Sequence, residues 1–285
     1  MVAVIDIGSN SVRLLIDEGK AVNAKSLNTT QLSKGLATDG KLRLDAMVRT
    51  ADAVADFFAL AKSRGADKVL VFGTEAMRNP GGETLKNMIE SRVPVTVDII
   101  SGKKEAEIGY IGCTGGKGNN AVVDIGGASV ELTSGENGAI TYAESLKLGV
   151  VRTRDRVGDD RKNIEEFYKA RVGEYKKVSA DKLFAIGGTA TSIASMLLGQ
   201  KTYDAEKVHG YVVTQSALEG LIDRIFASES LTAEFPTIGE KRAGVIGHGA
   251  ILLLILMRYL GFPCLTVSEH DNIEGYLIAE GVYSK

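Results

Sequence analysis

Apolar positions open the chain in two short runs, Ala3-Val-Ile-Asp-Ile7 and Ser11-Val-Arg-Leu-Leu-Ile16, separated by Gly8-Ser9-Asn10. Two β-rich runs broken by a turn of small residues predict a β-hairpin. From Leu44 to Arg64 the apolar positions recur at helical spacing, and the strand Lys68–Phe72 follows. The segment Gly73-Thr74-Glu75-Ala76-Met77-Arg78 then leaves the strand end. Leu85 to Ser91 reads as helix and Val95 to Ile100 as strand. Ser101 is the expected cap of a helix running through Glu105, Ile108 and Ile111. Further on, Phe184-Ala-Ile reads as a strand, Gly187-Gly188-Thr189 as a turn, and the residues after it as an amphipathic helix. Strands alternate with helices, so the fold class is α/β. The most apolar stretch, Gly249 to Met257, is shorter than the ~20 residues that cross a bilayer. His248 and Arg258 flank it, and a buried core helix is the expected reading.

The first hairpin has a double. Residues 3–14 read AVIDIGSNSVRL and residues 121–132 read AVVDIGGASVEL, identical at eight of twelve positions at an offset of 118 residues. That period is too long for a solenoid and points to two related domains, each opening with the same element. Thr114-Gly-Gly-Lys-Gly-Asn-Asn120 is the best linker between them. The expected organisation is residues 1–117 plus about 272–285 in one domain and 118–271 in the other. A length of 285 residues, about twice the usual 150-residue domain, agrees with two.

Composition changes this picture little. Hydrophobic residues make up 44% and charged residues 25%, ordinary for a globular chain. A formal net charge of −2 provides no global field for nucleic acid or an anionic membrane, so any anion site is local. The two cysteines, Cys113 and Cys264, are too few for a disulfide framework or a zinc cluster and read as small core residues of a cytoplasmic protein. No basic region precedes the first apolar run, so a signal peptide is not expected.

The repeated turns carry the candidate chemistry. Small residues at Gly8-Ser9-Asn10-Ser11 and Gly126-Gly127-Ala128-Ser129 let backbone N–H groups approach an anion closely. Asp6 and Asp124 end the two first strands. A carboxylate beside a phosphate cradle repels the phosphate unless a cation lies between, which suggests Mg²⁺. Gly187, Gly188 and Thr189 open a helix whose free N–H groups suit an anion or a ribose. Glu131 follows the second hairpin where its repeat counterpart is Arg13, so the repeat breaks its charge there. The run 150–165 carries Arg152, Arg154, Arg156, Arg161 and Lys162 among acids, either a solvated face or a polyanion contact. The histidines lack zinc-binding spacing, and there is no Walker-type loop.

Together these motifs resemble the exopolyphosphatase and guanosine pentaphosphate phosphohydrolase (Ppx/GppA) family of the actin and sugar-kinase superfamily. The matching elements occur in order over nearly the whole chain: Asp6–Ser11, Gly73–Arg78, Ile100-Ser-Gly-Lys-Lys-Glu-Ala106, Asp124–Glu131, Leu148–Arg152, Gly187–Thr189, Val208-His209-Gly210, Arg242–Gly249 and Ser268–Gly275. The resemblance implies two actin-like, ribonuclease H-like domains around a cleft. It implies that Glu105 positions and deprotonates the attacking water, and that Asp124 and Glu131, with Asp6, surround a metal. It assigns Gly8, Ser9, Asn10 and Ser11 and Gly126, Gly127, Ala128 and Ser129 to the phosphate hairpins, and Arg78 to a phosphate clamp. Four departures bear on rate and substrate: Ala128 for a glycine, Lys104 for a glutamate (expected to depress the basicity of Glu105), Ile273 for an arginine and Glu269 for an aspartate.

The expected activity is hydrolysis of a terminal phosphoanhydride, with inorganic polyphosphate as substrate first and pppGpp second. A kinase of the same superfamily is an alternative that lacks a visible acceptor site. A non-catalytic polyphosphate or nucleotide sensor is another, favoured by Ala128 and Ile273. Nucleic acid and membrane are not expected partners; a homodimer is compatible with the sequence.

Overall fold

The two halves of the repeat fold into two sheets with the same strand order. The computed structural model describes residues 1–20, 23 and 25–282. In the first sheet β1 (Val2–Ile7), β2 (Val12–Ile16) and β3 (Lys25–Asn28) pair antiparallel. Then β4 (Lys68–Gly73) and β5 (Val97–Ile99) add in parallel, giving the order β3-β2-β1-β4-β5. The short α1 (Leu36–Asp39), the long α2 (Leu44–Ser63) and α3 (Gly82–Glu90) accompany it. Helix α2 forms where the apolar spacing places it. Ala46, Met47, Thr50, Ala51, Val54 and Ala61 lie on its buried side.

Helix α4 (Gly102–Thr114) leads out of the first half, its Ser101 side chain accepting from the Lys104 amide as an N-cap. The expected linker shrinks to a four-residue turn, because Asn119 already begins the next strand. The second sheet contains β6 (Asn119–Ile125), β7 (Val130–Glu136), β8 (Ala139–Leu146), β9 (Lys182–Ile186), β10 (Val212–Thr214) and β11 (Cys264–Val267). Its order is β10-β11-β9-β6-β7-β8, so β8-β7-β6-β9-β11 retraces the first sheet with β10 added at the edge. Its helices are α5 (Val150–Val157), α6 (Arg161–Arg171), α7 (Gly187–Leu197), α8 (Ala205–Val208), α9 (Gln215–Ala227), α10 (Leu231–Glu234) and α11 (Glu240–Leu260). Helix α11 is apolar enough to cross a bilayer by length and composition, but it is the core helix of this half. Val245 to Met257 are buried against α5, α6, α7 and α9.

The chain returns to the first half through α12 (Asn272–Ala279), which packs on α4 and on β1. The two helices cross backbone to backbone. A methyl group on Gly275 would overlap the Ile108 carbonyl, and one on Gly112 would lie 2.7 Å from the Gly275 amide. Ile273 is fully buried there beside Val4, Phe72 and Ile108, so that departure from the family pattern is a packing choice. Cys113 is half-buried and Cys264 exposed, which corrects the reading of Cys264 as a core residue: it begins β11 near the sheet edge, paired with Thr214 of the short β10 and with no residue of β9. Tyr283 to Lys285 of the expected domain span lie outside the described residues.

Candidate active site

Both hairpins form as expected, and their backbones are oriented alike. In the second, the first amides of α5 turn back onto the hairpin tip. The Val150 N–H donates to the Gly126 carbonyl (3.0 Å), Val151 and Arg152 to Gly127 (2.8 and 3.1 Å), and Gly149 to Ala128 (3.2 Å). A trans peptide points its N–H opposite to its carbonyl. Pinning three carbonyls toward α5 therefore turns the amides of Gly127, Ala128 and Ser129 the other way. The first hairpin does the same with Ser9 and Asn10, whose carbonyls accept from Ser33 (2.9 Å) and Gln31 (2.8 Å). The amides of Ser9, Asn10, Ser11, Gly127, Ala128 and Ser129 donate to no backbone acceptor among the described residues. Those of Gly8 and Gly126 are consumed inside their own turns, by Ser11 and Ser129 carbonyls. Runs of like-facing amides form anion-binding concavities. Ala128 keeps negative φ and is fully buried, so its methyl group causes neither strain nor crowding of the cleft. The two tips touch: a methyl on Gly127 would lie 3.3 Å from the Cβ atoms of Ser9 and Asn10.

Behind the second hairpin lies a small enclosed pocket lined by Glu105, Asp124, Glu131, Asn272 and the apolar Val122 and Ile186. Asp124 and Glu131 stand directly opposite on β6 and β7, and Glu105 reaches in from the first turn of α4. The Asn272 amide donates to Asp124 Oδ2 (3.1 Å), and the Ser145 hydroxyl to Glu131 Oε1 (2.6 Å). Gly187 takes φ +80°, and any side chain there would strike Asp124 Oδ1. Burial and then the charge of Glu131 push Asp124 up to about 8. The same two causes hold Glu105 well above the usual carboxylate range, against the pull of Arg78. Lys104 is not among the main groups that set the basicity of Glu105. Burial also raises Glu131, against its hydrogen bonds from Ser145 and Ser129.

Like charges directly opposite on neighbouring strands are unfavourable. The repeat makes the point internally: at the equivalent positions of the first hairpin, Asp6 and Arg13 form a salt bridge, with Arg13 Nε 2.8 Å from Asp6 Oδ2. The expectation of a cation therefore applies to Asp124 and Glu131, whereas at Asp6 the positive charge comes from Arg13. All-oxygen donors suit Mg²⁺, which takes one or two protein carboxylates and keeps several waters. Among the described residues no three His, Cys, Asp or Glu side chains form a ready metal cage. Asp124 and Glu131 fit as a two-carboxylate holder.

Other expected contacts move. Arg78 is engaged within the protein: its Nη1 donates to Glu105 Oε2 and to the Ile100 carbonyl, both at 2.8 Å. Thr189 is buried and donates to the Ile125 carbonyl (2.9 Å), while at the start of α7 Gly187 is buried against Asp124 and Gly188 is half-buried beside Arg242. In the 150–165 run, Arg154 pairs with Asp159, Arg161 with Glu165 and Asp223, and Lys162 with Glu166, so the solvated-face reading holds for these three. His209 Nδ1 accepts from the Glu269 amide (3.2 Å). Reading the sequence assigned no role to Arg242. Its half-buried guanidinium lies against Gly188, with no hydrogen bond or ion pair among the described residues. Burial and then Arg13 lower it to about 10. Arg13 and Arg242 line a groove of about 1590 Å³ that runs past Gly187 and Gly188 between the halves, with Leu27, Phe57 and Tyr203 among its apolar walls. The only signal for Arg242 in the sequence was its place at the head of a matching segment.

Fold and site thus define a two-lobed α/β protein with paired anion-binding hairpins and a carboxylate cluster behind one of them. Residues 4–281 match the model of the Ppx/GppA phosphatase family, and the chain belongs to that family, with its actin-like two-domain fold. It is 28% identical to exopolyphosphatase 2 of Mycobacterium tuberculosis, over 98% of each chain. It is 27% identical to the guanosine-5'-triphosphate,3'-diphosphate pyrophosphatase of Vibrio vulnificus, covering 96% of this chain but 58% of that one. Among solved structures, the Aquifex aeolicus family member superimposes with a TM-score of 0.81 at 28% identity, over 99% and 97% of the two chains. An exopolyphosphatase from Cytophaga hutchinsonii gives 0.84 at 25% identity, over 99% and 98%.

Proposed function

We propose that this protein is a Mg²⁺-dependent exopolyphosphatase that releases orthophosphate from the end of an inorganic polyphosphate chain. The observation that carries the reading is the enclosed trio Glu105, Asp124 and Glu131 behind a hairpin whose three amides face the cleft. The names of the M. tuberculosis and C. hutchinsonii relatives support it. Phosphoryl transfer asks a protein mainly for positioning and for positive charge on the phosphoryl oxygens. In this reading the amides of Gly127, Ala128 and Ser129 hold the terminal phosphoryl group. Glu105, ionised, takes a proton from the attacking water, and Arg78 fixes the rotamer of Glu105 and favours its ionised form. Asp124 and Glu131 hold Mg²⁺, which when bound supplies the charge that the carboxylates would otherwise oppose. Arg242, with no ion pair among the described residues, offers a cation to the rest of the chain.

The groove favours a second substrate reading. Polyphosphate has no use for apolar walls, whereas a purine base does, and Leu27, Phe57 and Tyr203 lie along the groove that Arg13 and Arg242 also line. pppGpp is the alternative on that ground, and the Vibrio relative carries the matching name. Phosphate release from long-chain polyphosphate and from pppGpp, with and without Mg²⁺, decides. Release from polyphosphate that stops on chelation supports the first reading, release from pppGpp alone supports the second, and release from neither refutes both.

A further inference from the structure

Beyond the trio, one more acid and one more base meet behind the second hairpin. Arg152 is the third residue of α5. Its Nε donates to the Ala128 carbonyl (3.0 Å) and its Nη2 to Glu75 Oε1 (3.2 Å). Both side chains are largely buried, at 17% and 8% exposure. Glu75 comes from the other half of the molecule, at the start of the one-turn 3-10 helix Glu75–Arg78. Its Oε1 also accepts from Asn79, and its Oε2 is buried with no partner. The same turn ends in Arg78, which holds Glu105.

We infer that Glu75 and Arg152 are a positioning pair that aims the Ser129 amide at the phosphoryl group. The inference rests on the hydrolase reading above. The Ala128 carbonyl and the Ser129 N–H belong to one planar trans peptide, so whatever fixes the carbonyl fixes the amide. Two donors fix that carbonyl, the Gly149 amide and Arg152 Nε. Arg152 is long and flexible, and Glu75 holds its far end. A buried carboxylate facing a buried guanidinium is costly to leave alone, so the pair forms whenever the halves are closed. Glu75 and Arg78 share one turn, so the element that steadies the Ser129 amide through Arg152 also holds Glu105. Neither Glu75 nor Arg152 touches the reacting atoms in this scheme.

A transition-state donor counts more than a ground-state one: losing one oxyanion donor costs about 10²–10³ in kcat. Misaiming it costs part of that. Arg152→Met is expected to lower kcat about tenfold to a hundredfold while KM stays within twofold. Glu75→Gln is expected to lower kcat less, and the double variant no further than Arg152→Met alone, because Glu75 acts through Arg152. Binding without turnover gives an independent readout with Mg²⁺ present. Orthovanadate, which mimics the five-coordinate phosphoryl group, should bind Arg152→Met about tenfold more weakly, with orthophosphate affinity unchanged within twofold. Multiplicative losses in the double variant overturn the inference. So does a raised KM with a changed salt dependence, which would mean that Arg152 touches substrate. Unchanged vanadate affinity in a folded Arg152→Met overturns it too. If the wild type releases phosphate from no substrate, the hydrolase reading fails, and the vanadate comparison still decides the role of Arg152.

Discussion

Replacing Asp124 by asparagine should stabilise the metal-free protein while removing its activity. The side chain keeps its shape, and its carbonyl oxygen can still accept from Asn272. What disappears is a negative charge opposite Glu131. Asp124 moves from an ordinary 3.8 to about 8, through burial first and Glu131 second. The native state therefore keeps a proton that the unfolded chain has released. Stability must fall as pH rises from about 4 through about 8, since the unfolded state binds fewer protons in that window. A tenfold change in proton affinity is about 1.4 kcal/mol, which bounds the cost at pH 8 near 5 kcal/mol; relaxation of the pocket leaves on the order of 2–4 kcal/mol. That corresponds to about 5–10 °C in melting temperature for a chain of this size. Thermal melts of wild type and Asp124→Asn in EDTA, at pH 8 and pH 5, measure it. The variant should melt higher at pH 8, with a much smaller gain at pH 5. Added Mg²⁺ should close the gap by raising the wild type. A variant that melts lower at pH 8, or by the same margin at both pH values, would refute the claim that burial and Glu131 disfavour the ionised form of Asp124 in the native pocket.

Glu105→Gln should reduce kcat on polyphosphate by about 10²–10⁴-fold, the range for a general base, with unchanged circular dichroism; a wild-type rate removes Glu105 from the mechanism. Because burial and Glu131 raise Glu105 and the base must be ionised, kcat should climb with pH through a limb lying above the usual carboxylate range. A pH–rate profile already flat from pH 5 contradicts that. Gly275→Ala places a methyl group on the Ile108 carbonyl where α4 and α12 cross. It should cost on the order of 3 kcal/mol in denaturant unfolding, and a loss below about 1 kcal/mol would show that the helices separate easily.

Local signals in the sequence were enough for the hairpins, the Ser101 cap and the long core helix, because each depends on neighbours a few residues away. The repeat was enough for the two-sheet plan. What could not be read was the partner of each charge. Arg78 looks like a phosphate clamp until the Glu105 side chain, 27 residues later, is seen at 2.8 Å. Arg152 and Arg154 look alike in sequence, yet one ends at Glu75 across the cleft and the other at Asp159 on its own loop. Thr189 follows two glycines as a phosphate-binding threonine would, but its hydroxyl serves the Ile125 carbonyl. In each case the backbone position was legible and the rotamer's destination was set by long-range packing.

The duplicated hairpin explains why chemistry collects on one side. Both copies carry tip amides with no backbone acceptor and an acid at the end of the first strand, Asp6 buried and Asp124 half-buried. In the first copy the residue opposite that acid is Arg13, and the pair is drawn into structure: Arg13 also binds Asp271, the N-cap of α12, and Lys25 joins Asp271 at 3.1 Å and Glu274 at 2.9 Å. That cluster ties the first hairpin to the returning helix. In the second copy the residue opposite is Glu131, and no ion pair among the described residues joins either acid to a base. A third carboxylate, Glu105, reaches the same pocket and brings Arg78 with it. One change of sign at equivalent positions therefore separates the two copies: the first holds an internal Asp–Arg pair that anchors the returning helix, and the second sets two acids face to face.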